Sequence, residues 1–164
     1  MGFIFSCINE DDKGDVIYKP SARDKELALL KANKYLLKLE SQDIDNYVRR
    51  HSWNMVSTGS GLRLGIVEKG SGKAIKKGEL VRMDYETRLI DGSLVYSSEN
   101  DGTKSFIVGH GGIESGLEEA VLLMHYGDEA NIIIPSHLAF GLLGDQKSIP
   151  SHATLIYKVK ILNN

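Results

Sequence analysis

Cysteine is nearly absent from this chain. Its 164 residues include one, Cys7, so no disulfide can form within it. Proline is scarce, with three residues in all, and residues 22–51 contain neither proline nor glycine. No apolar run approaches the roughly 20 residues that a membrane-spanning helix needs. A dominant charge is missing too: 20 Lys and Arg against 22 Asp and Glu leave a formal net charge of -2. That balance gives no support for nucleic-acid binding, which leaves a clustered basic footprint. The five histidines, at positions 51, 110, 125, 137 and 152, lack zinc-site spacing, and no metal or other cofactor is expected. No glycine triplet follows a strand and opens a long helix, which argues against a nucleotide-binding βαβ unit. No serine sits in a nucleophile elbow, so a hydrolase has no local context. What remains, 41% hydrophobic and 26% charged, is the composition of a globular chain able to bury a core. Its length fits one domain with an appended segment.

The most informative stretch runs from Asn131 to Leu162. Two β-branched runs flank a loop that carries Phe140 and Ile149, apolar groups that a loop does not normally expose. From Thr154 to Leu162 the pattern alternates, with Leu155, Tyr157, Val159 and Ile161 on one face and Lys158 and Lys160 on the other. That is the period of a half-buried strand. Loops held on such a scaffold tend to carry function.

The N-terminus, Met1-Gly2-Phe3-Ile4-Phe5-Ser6-Cys7, admits three readings. It is a disordered start, an N-myristoylation signal through Gly2 and Ser6, or the end of a bacterial lipoprotein signal in which Cys7 accepts lipid. In the third, most of the apolar signal region is missing, as if the chain began inside it. Residues 1–21 then read as signal remnant and tether. Residues 22–60 form a helical segment and connector, with Leu27, Leu30, Leu37, Ile44 and Val48 at helical steps, Ser21 as N-cap and a break near Ser41. This helix either packs on the following domain or serves as a dimerisation arm.

From Leu62 the chain turns to β. Strands are expected at 62–67, 80–90, 94–96, 105–108, 128–134 and 154–162, with a hairpin at Asp91-Gly92. Ser115 and Glu118 read as a capping box for one short helix whose inner face is Leu117, Ala120, Val121 and Met124. The fold class is α+β: a twisted antiparallel half-barrel wrapping one short helix, preceded by the N-terminal helical segment. The concave side is the natural pocket.

Several stretches at their observed spacing carry a resemblance: Val81-Arg82-Met83-Asp84-Tyr85, Asp91-Gly92-Ser93-Leu94-Val95-Tyr96-Ser97-Ser98, Phe106-Ile107-Val108-Gly109, Gly116-Leu117-Glu118-Glu119-Ala120, Leu138-Ala139-Phe140-Gly141 and Ile149-Pro150-Ser151-His152-Ala153-Thr154-Leu155. With them, residues 61–164 resemble an FKBP-type peptidyl-prolyl cis-trans isomerase domain. The N-terminal helix and cysteine tether resemble the gliding-motility-associated bacterial lipoprotein branch. The resemblance implies a folding helper for exported proteins, anchored by lipid at Cys7 in a Gram-negative cell envelope, whose partners are proline-containing polypeptides. It implies Tyr85, Leu117 and Phe140 as catalytic residues, with Val95, Tyr96, Phe106, Ile113, Glu114, Ile149 and Tyr157 binding substrate. The chain departs from the best-studied members. The family's pocket aspartate falls at Tyr96, its phenylalanine at Val95, its floor tryptophan at Leu117, its loop tyrosine at Phe140, and an apolar position at Glu114. These departures imply weakened activity and poor binding of the family's macrolide inhibitors. They also keep open a rival reading, a non-catalytic chaperone or peptide-binding module using the same groove.

Overall fold

The computed structural model describes residues 19–163. Cys7 and the tether that precedes Lys19 lie outside the described residues. The chain divides into two compact units, Met1–Tyr35 and Leu36–Asn164.

Helix α1 spans Ala22–Arg50. Ser21 caps it as expected: its Oγ accepts from the Asp24 N–H at 3.2 Å, and the Asp24 carboxylate takes the Ser21 N–H at 3.1 Å. That exchange satisfies two donors at the helix start. The expected break near Ser41 is absent, because a run free of glycine and proline has no residue that stops a helix. In the first unit Leu27, Leu29, Leu30 and Tyr35 are exposed.

The second unit is built on an antiparallel sheet. Its strands are β1 (Val56–Ser57), β2 (Arg63–Glu68), β3 (Leu80–Leu89), β4 (Leu94–Ser97), β5 (Lys104–Ile107), β6 (Glu129–Ile134) and β7 (Leu155–Ile161). The order is β1-β2-β6-β7-β3-β4, and β5 pairs with the first half of β3. Helix α2 (Ser98–Asp101) is a single turn after β4, and α3 (Ser115–Val121) is the short helix. The Asp91-Gly92 hairpin joins β3 to β4, where the Asp91 carboxylate takes the Ser93 N–H at 2.8 Å.

Alternation decides which side chains enter the core. Leu155, Tyr157, Val159 and Ile161 of β7 join Ile132 and Ile134 of β6 and Leu117, Ala120, Val121 and Met124 around α3 in one buried cluster. Gly116 permits this contact, since a Cβ there would collide with Ile134. The opposite face is not wholly polar. Ile133 and Ile156 point away from α3 and bury Ile44 and Tyr47 of α1 in a second, smaller cluster. Arg63, on β2, also meets this part of α1, through Asp45 at 2.9 Å and the Ser41 hydroxyl at 3.2 Å.

One local expectation is corrected. Ser115 and Glu118 do not form a capping box. Glu114 occupies the N-cap position, and no side-chain cap bond is made. The Glu118 carboxylate instead accepts the N–H groups of Gly109 at 3.0 Å and Gly111 at 3.2 Å, while Ser115 Oγ donates to the Leu138 carbonyl. Both side chains tie the incoming loops rather than the helix end, because β5 and β6 bring those loops against α3.

Candidate functional site

The expected pocket residues come from separate parts of the fold. Tyr85 projects from β3, Val95 and Tyr96 from β4, Phe106 from β5, Leu117 from α3 and Tyr157 from β7. Ile113 and Glu114 lie in the turn before α3, and Phe140 and Ile149 lie in the loop between β6 and β7. Tyr85, Phe106, Leu117, Ile149 and Tyr157 are buried in one cluster, and Val95, Tyr96, Ile113 and Phe140 pack against it half-buried. The nine apolar and aromatic residues thus belong to one packed cluster. Leu117 lies at the centre of this cluster, with no exposed surface. The rings of Tyr85 and Tyr157 stand 6.3 Å apart at a tilt of 39°.

Two polar features shape the site. Glu114 is buried, and its Oε1 accepts the Tyr157 hydroxyl at 2.6 Å. Burial holds the Tyr157 hydroxyl well above its ordinary range, and the Glu114 charge adds to the effect. Tyr157 therefore stays protonated and remains the donor. Tyr85 is also raised, first by burial and then by the charges of Asp101 and Glu114. Lys104, on β5, places its Nζ 5.0 Å from the Tyr85 ring centre, 5.8 Å from that of Tyr157 and 3.8 Å from Glu114 Oε2. Sequence reasoning missed Lys104, although a signal was available. Residues two apart on a strand share a face, so the alternation that turns Phe106 inward turns Lys104 inward as well.

Tyr96 packs beside the site, but its hydroxyl is spent elsewhere. It donates to the Asp145 carboxylate in the β6–β7 loop. Asp145 Oδ1 accepts the N–H groups of Ile149 at 2.7 Å and Lys147 at 2.9 Å. Burial opposes the Asp145 charge, yet these hydrogen bonds outweigh it and hold the carboxyl below its ordinary range. Gly144 precedes it at a φ of 65°, and a Cβ there would collide with the Ile149 carbonyl. The loop is also held at its base. Glu40, from α1, accepts the Ser136 N–H at 2.6 Å, the Ser136 hydroxyl at 3.0 Å and the Thr154 hydroxyl at 2.7 Å. One carboxylate therefore clamps both ends of the segment that carries Phe140 and Ile149. Glu40 does not stand out in the sequence, and neither does the Asp145–Tyr96 contact, because those partners are far apart along the chain.

The arrangement is an apolar and aromatic cluster with one ion pair at its edge. Among the described residues no group of three His, Cys, Asp or Glu side chains could hold a metal ion.

Comparison with known proteins identifies the family. Residues 71–162, more than half of the chain, match the family described as FKBP-type peptidyl-prolyl cis-trans isomerase. The probable FKBP-type peptidyl-prolyl cis-trans isomerase FkpA of Neisseria meningitidis serogroup B is 38% identical over 107 residues, covering 65% of this chain and 39% of that protein. The FKBP-type 22 kDa peptidyl-prolyl cis-trans isomerase of Escherichia coli is 36% identical over 107 residues, 65% of this chain and 51% of that one. The chain thus spans about two-fifths to one half of the length of these relatives. The crystal structure of FkpA from Escherichia coli superposes with a TM-score of 0.67 at 28% identity, covering 87% of this chain and 66% of that one. By its matched residues and its half-barrel around α3, this chain belongs to the FKBP-type peptidyl-prolyl cis-trans isomerase family.

Proposed function

We propose that this protein accelerates the cis–trans isomerisation of Xaa-Pro bonds in unfolded polypeptides. The reading is supported by the family match over residues 71–162, with Tyr85, Leu117, Phe140, Ile149 and Tyr157 packed in one cluster. The uncatalysed rotation has a barrier of ~18–20 kcal/mol and takes roughly tens to hundreds of seconds. No nucleophile is required. The proline ring enters over Leu117 between the faces of Tyr85 and Tyr157, with Phe106, Val95 and Ile113 completing the wall. There the amide loses the water that stabilises its planar, charge-separated form, and the twisted transition state is favoured relative to it. The backbone N–H of Glu114 is offered to a substrate carbonyl.

Activity is weakened relative to members that carry polar groups at these points. Phe140 has no hydroxyl, and the Tyr96 hydroxyl is engaged by Asp145. A second reading, a holding module without catalysis, is favoured by the Lys104–Glu114 pair, which puts charge where a proline pocket is usually apolar. The test is the cis-to-trans rate of an Xaa-Pro peptide series with wild-type protein and with Phe140→Ala and Leu117→Ala. Acceleration lost in both folded variants supports catalysis; binding without acceleration by the wild type supports the holding module.

The biological setting is part of the same proposal. The protein assists exported chains in the cell envelope of a Gram-negative bacterium, held there by lipid at Cys7. Incorporation of labelled fatty acid that Cys7→Ala abolishes would support this; labelling that persists would sink it. The exposed Leu29, Leu30, Leu36 and Leu37 of α1 support its use as a homodimer arm. Sedimentation of the full chain that shows only monomer at all concentrations removes that arm.

A further inference from the structure

A carboxylate inside an aromatic recess is costly unless something neutralises it. The Glu114 side chain is 6% exposed, and its Oε2 accepts no hydrogen bond from the described residues. Its nearest cation, Lys104 Nζ, stands at 3.8 Å, close enough for charge attraction but beyond hydrogen-bonding distance. Lys104 is the more exposed partner. Its side chain is 26% exposed, and a four-carbon stem can carry the ammonium out to water. While in place, the ammonium rests against the faces of both Tyr85 and Tyr157. The recess therefore has three elements of a cation site: an under-satisfied carboxylate oxygen and two electron-rich ring faces. Its present occupant can leave.

We propose that Glu114, Tyr85 and Tyr157 form a cation subsite of the substrate groove, filled by Lys104 in the free protein, and that it selects polypeptides with Arg or Lys beside the proline. The inference rests on the groove binding Xaa-Pro segments, as proposed above. An incoming guanidinium can donate to Glu114 Oε2 and stack on the tyrosine faces, replacing an attraction that Lys104 makes without a hydrogen bond. Lys104 then acts as an internal competitor, and Glu114 as the specificity determinant. The Tyr157 hydroxyl holds the carboxylate in position from its other oxygen.

The test uses the full chain and fluorescent peptides that differ only before proline, arginine against citrulline, which keeps the shape and lacks the charge. Affinities are read by anisotropy, and isomerisation rates are measured on the same peptides. Lys104→Met removes the competitor while keeping an apolar stem, and it should raise the arginine-over-citrulline preference to about tenfold, as expected for a charge-assisted contact. Adding Glu114→Gln, which keeps the size and the acceptor for Tyr157, should return the ratio to about one. Equal affinity for both peptides in Lys104→Met overturns the inference. So does a preference that survives Glu114→Gln, or a failure of the folded protein to bind either peptide. An arginine preference that depends on Glu114 but comes with no acceleration supports the subsite and removes the catalytic reading.

Discussion

The floor and the roof of the proposed groove are built by different physics. The floor is Leu117 on α3 with its neighbours Ala120 and Val121, all fully buried against β6 and β7. It is held by apolar packing on regular elements. The roof is the loop between β6 and β7, which presents Phe140 and Ile149 and is held by carboxylates: Glu40 at its two ends and Asp145 within it. Packing is dense and tolerates little change of volume. A hydrogen-bonded loop gives up little stability when one bond is lost, yet its apolar tips can shift by the small distances that matter for substrate. Floor variants are therefore expected to lose stability first, and roof variants to lose function while still folded.

The largest effect is expected at the floor. Leu117→Ala should cost about 2–5 kcal/mol of stability, because the transfer free energy is lost and a cavity remains. A lowered denaturant midpoint with an unchanged slope would show it. A midpoint within error of wild type would mean that the floor is not close-packed.

The roof comes next. Glu40→Ala leaves the buried Ser136 and Thr154 donors without their acceptor. The expected loss is about 1–3 kcal/mol, with a disproportionate fall in peptide isomerisation at a temperature where the protein remains fully folded. An unchanged kcat/KM would show that the loop keeps its place without the clamp, and the contrast between floor and roof would fail.

Tyr96→Phe should be milder, about 0.5–1.5 kcal/mol for one hydrogen bond. Asp145 adds a pH signature. Its carboxyl is lowered in the folded protein, where burial is outweighed by the bonds from Tyr96, Ile149 and Lys147. A lowered acid contributes stability that is complete above its unfolded value and is lost as pH falls through its folded one. The stability difference between wild type and Asp145→Asn should therefore be flat from neutral pH to about 5 and shrink below about 4. A difference that grows in acid would contradict the assignment. The smallest effect is expected for Phe140→Tyr, which should raise affinity for the family's macrolide inhibitors severalfold in a titration. No gain would place that ring away from the ligand.

The alternation of Val81, Met83, Tyr85 and Thr87, the Asp91-Gly92 hairpin and the inner face Leu117, Ala120, Val121 and Met124 were all legible in the chain. So was the presence of apolar groups on the β6–β7 loop. Periodicity and turn chemistry are local properties, and a local pattern can be read without knowing what lies opposite. The polar partners were not legible. Glu40 meets Ser136 and Thr154 across separations of 96 and 114 residues, and Tyr96 meets Asp145 across 49. A capping box was inferred at Ser115 because local spacing allowed it. The packed loops drew both side chains elsewhere.

The sequence by itself determined the main strands, the N-terminal helical segment, the short helix and which faces are apolar, because burial of apolar surface is dictated by residue type and period. Only the tertiary structure decided which polar groups meet: Lys104 with Glu114, Glu40 with the base of the loop, Asp145 with Tyr96. Those pairings depend on sheet register and on the approach of α1 and α3, and the same carboxylates in another register would face water.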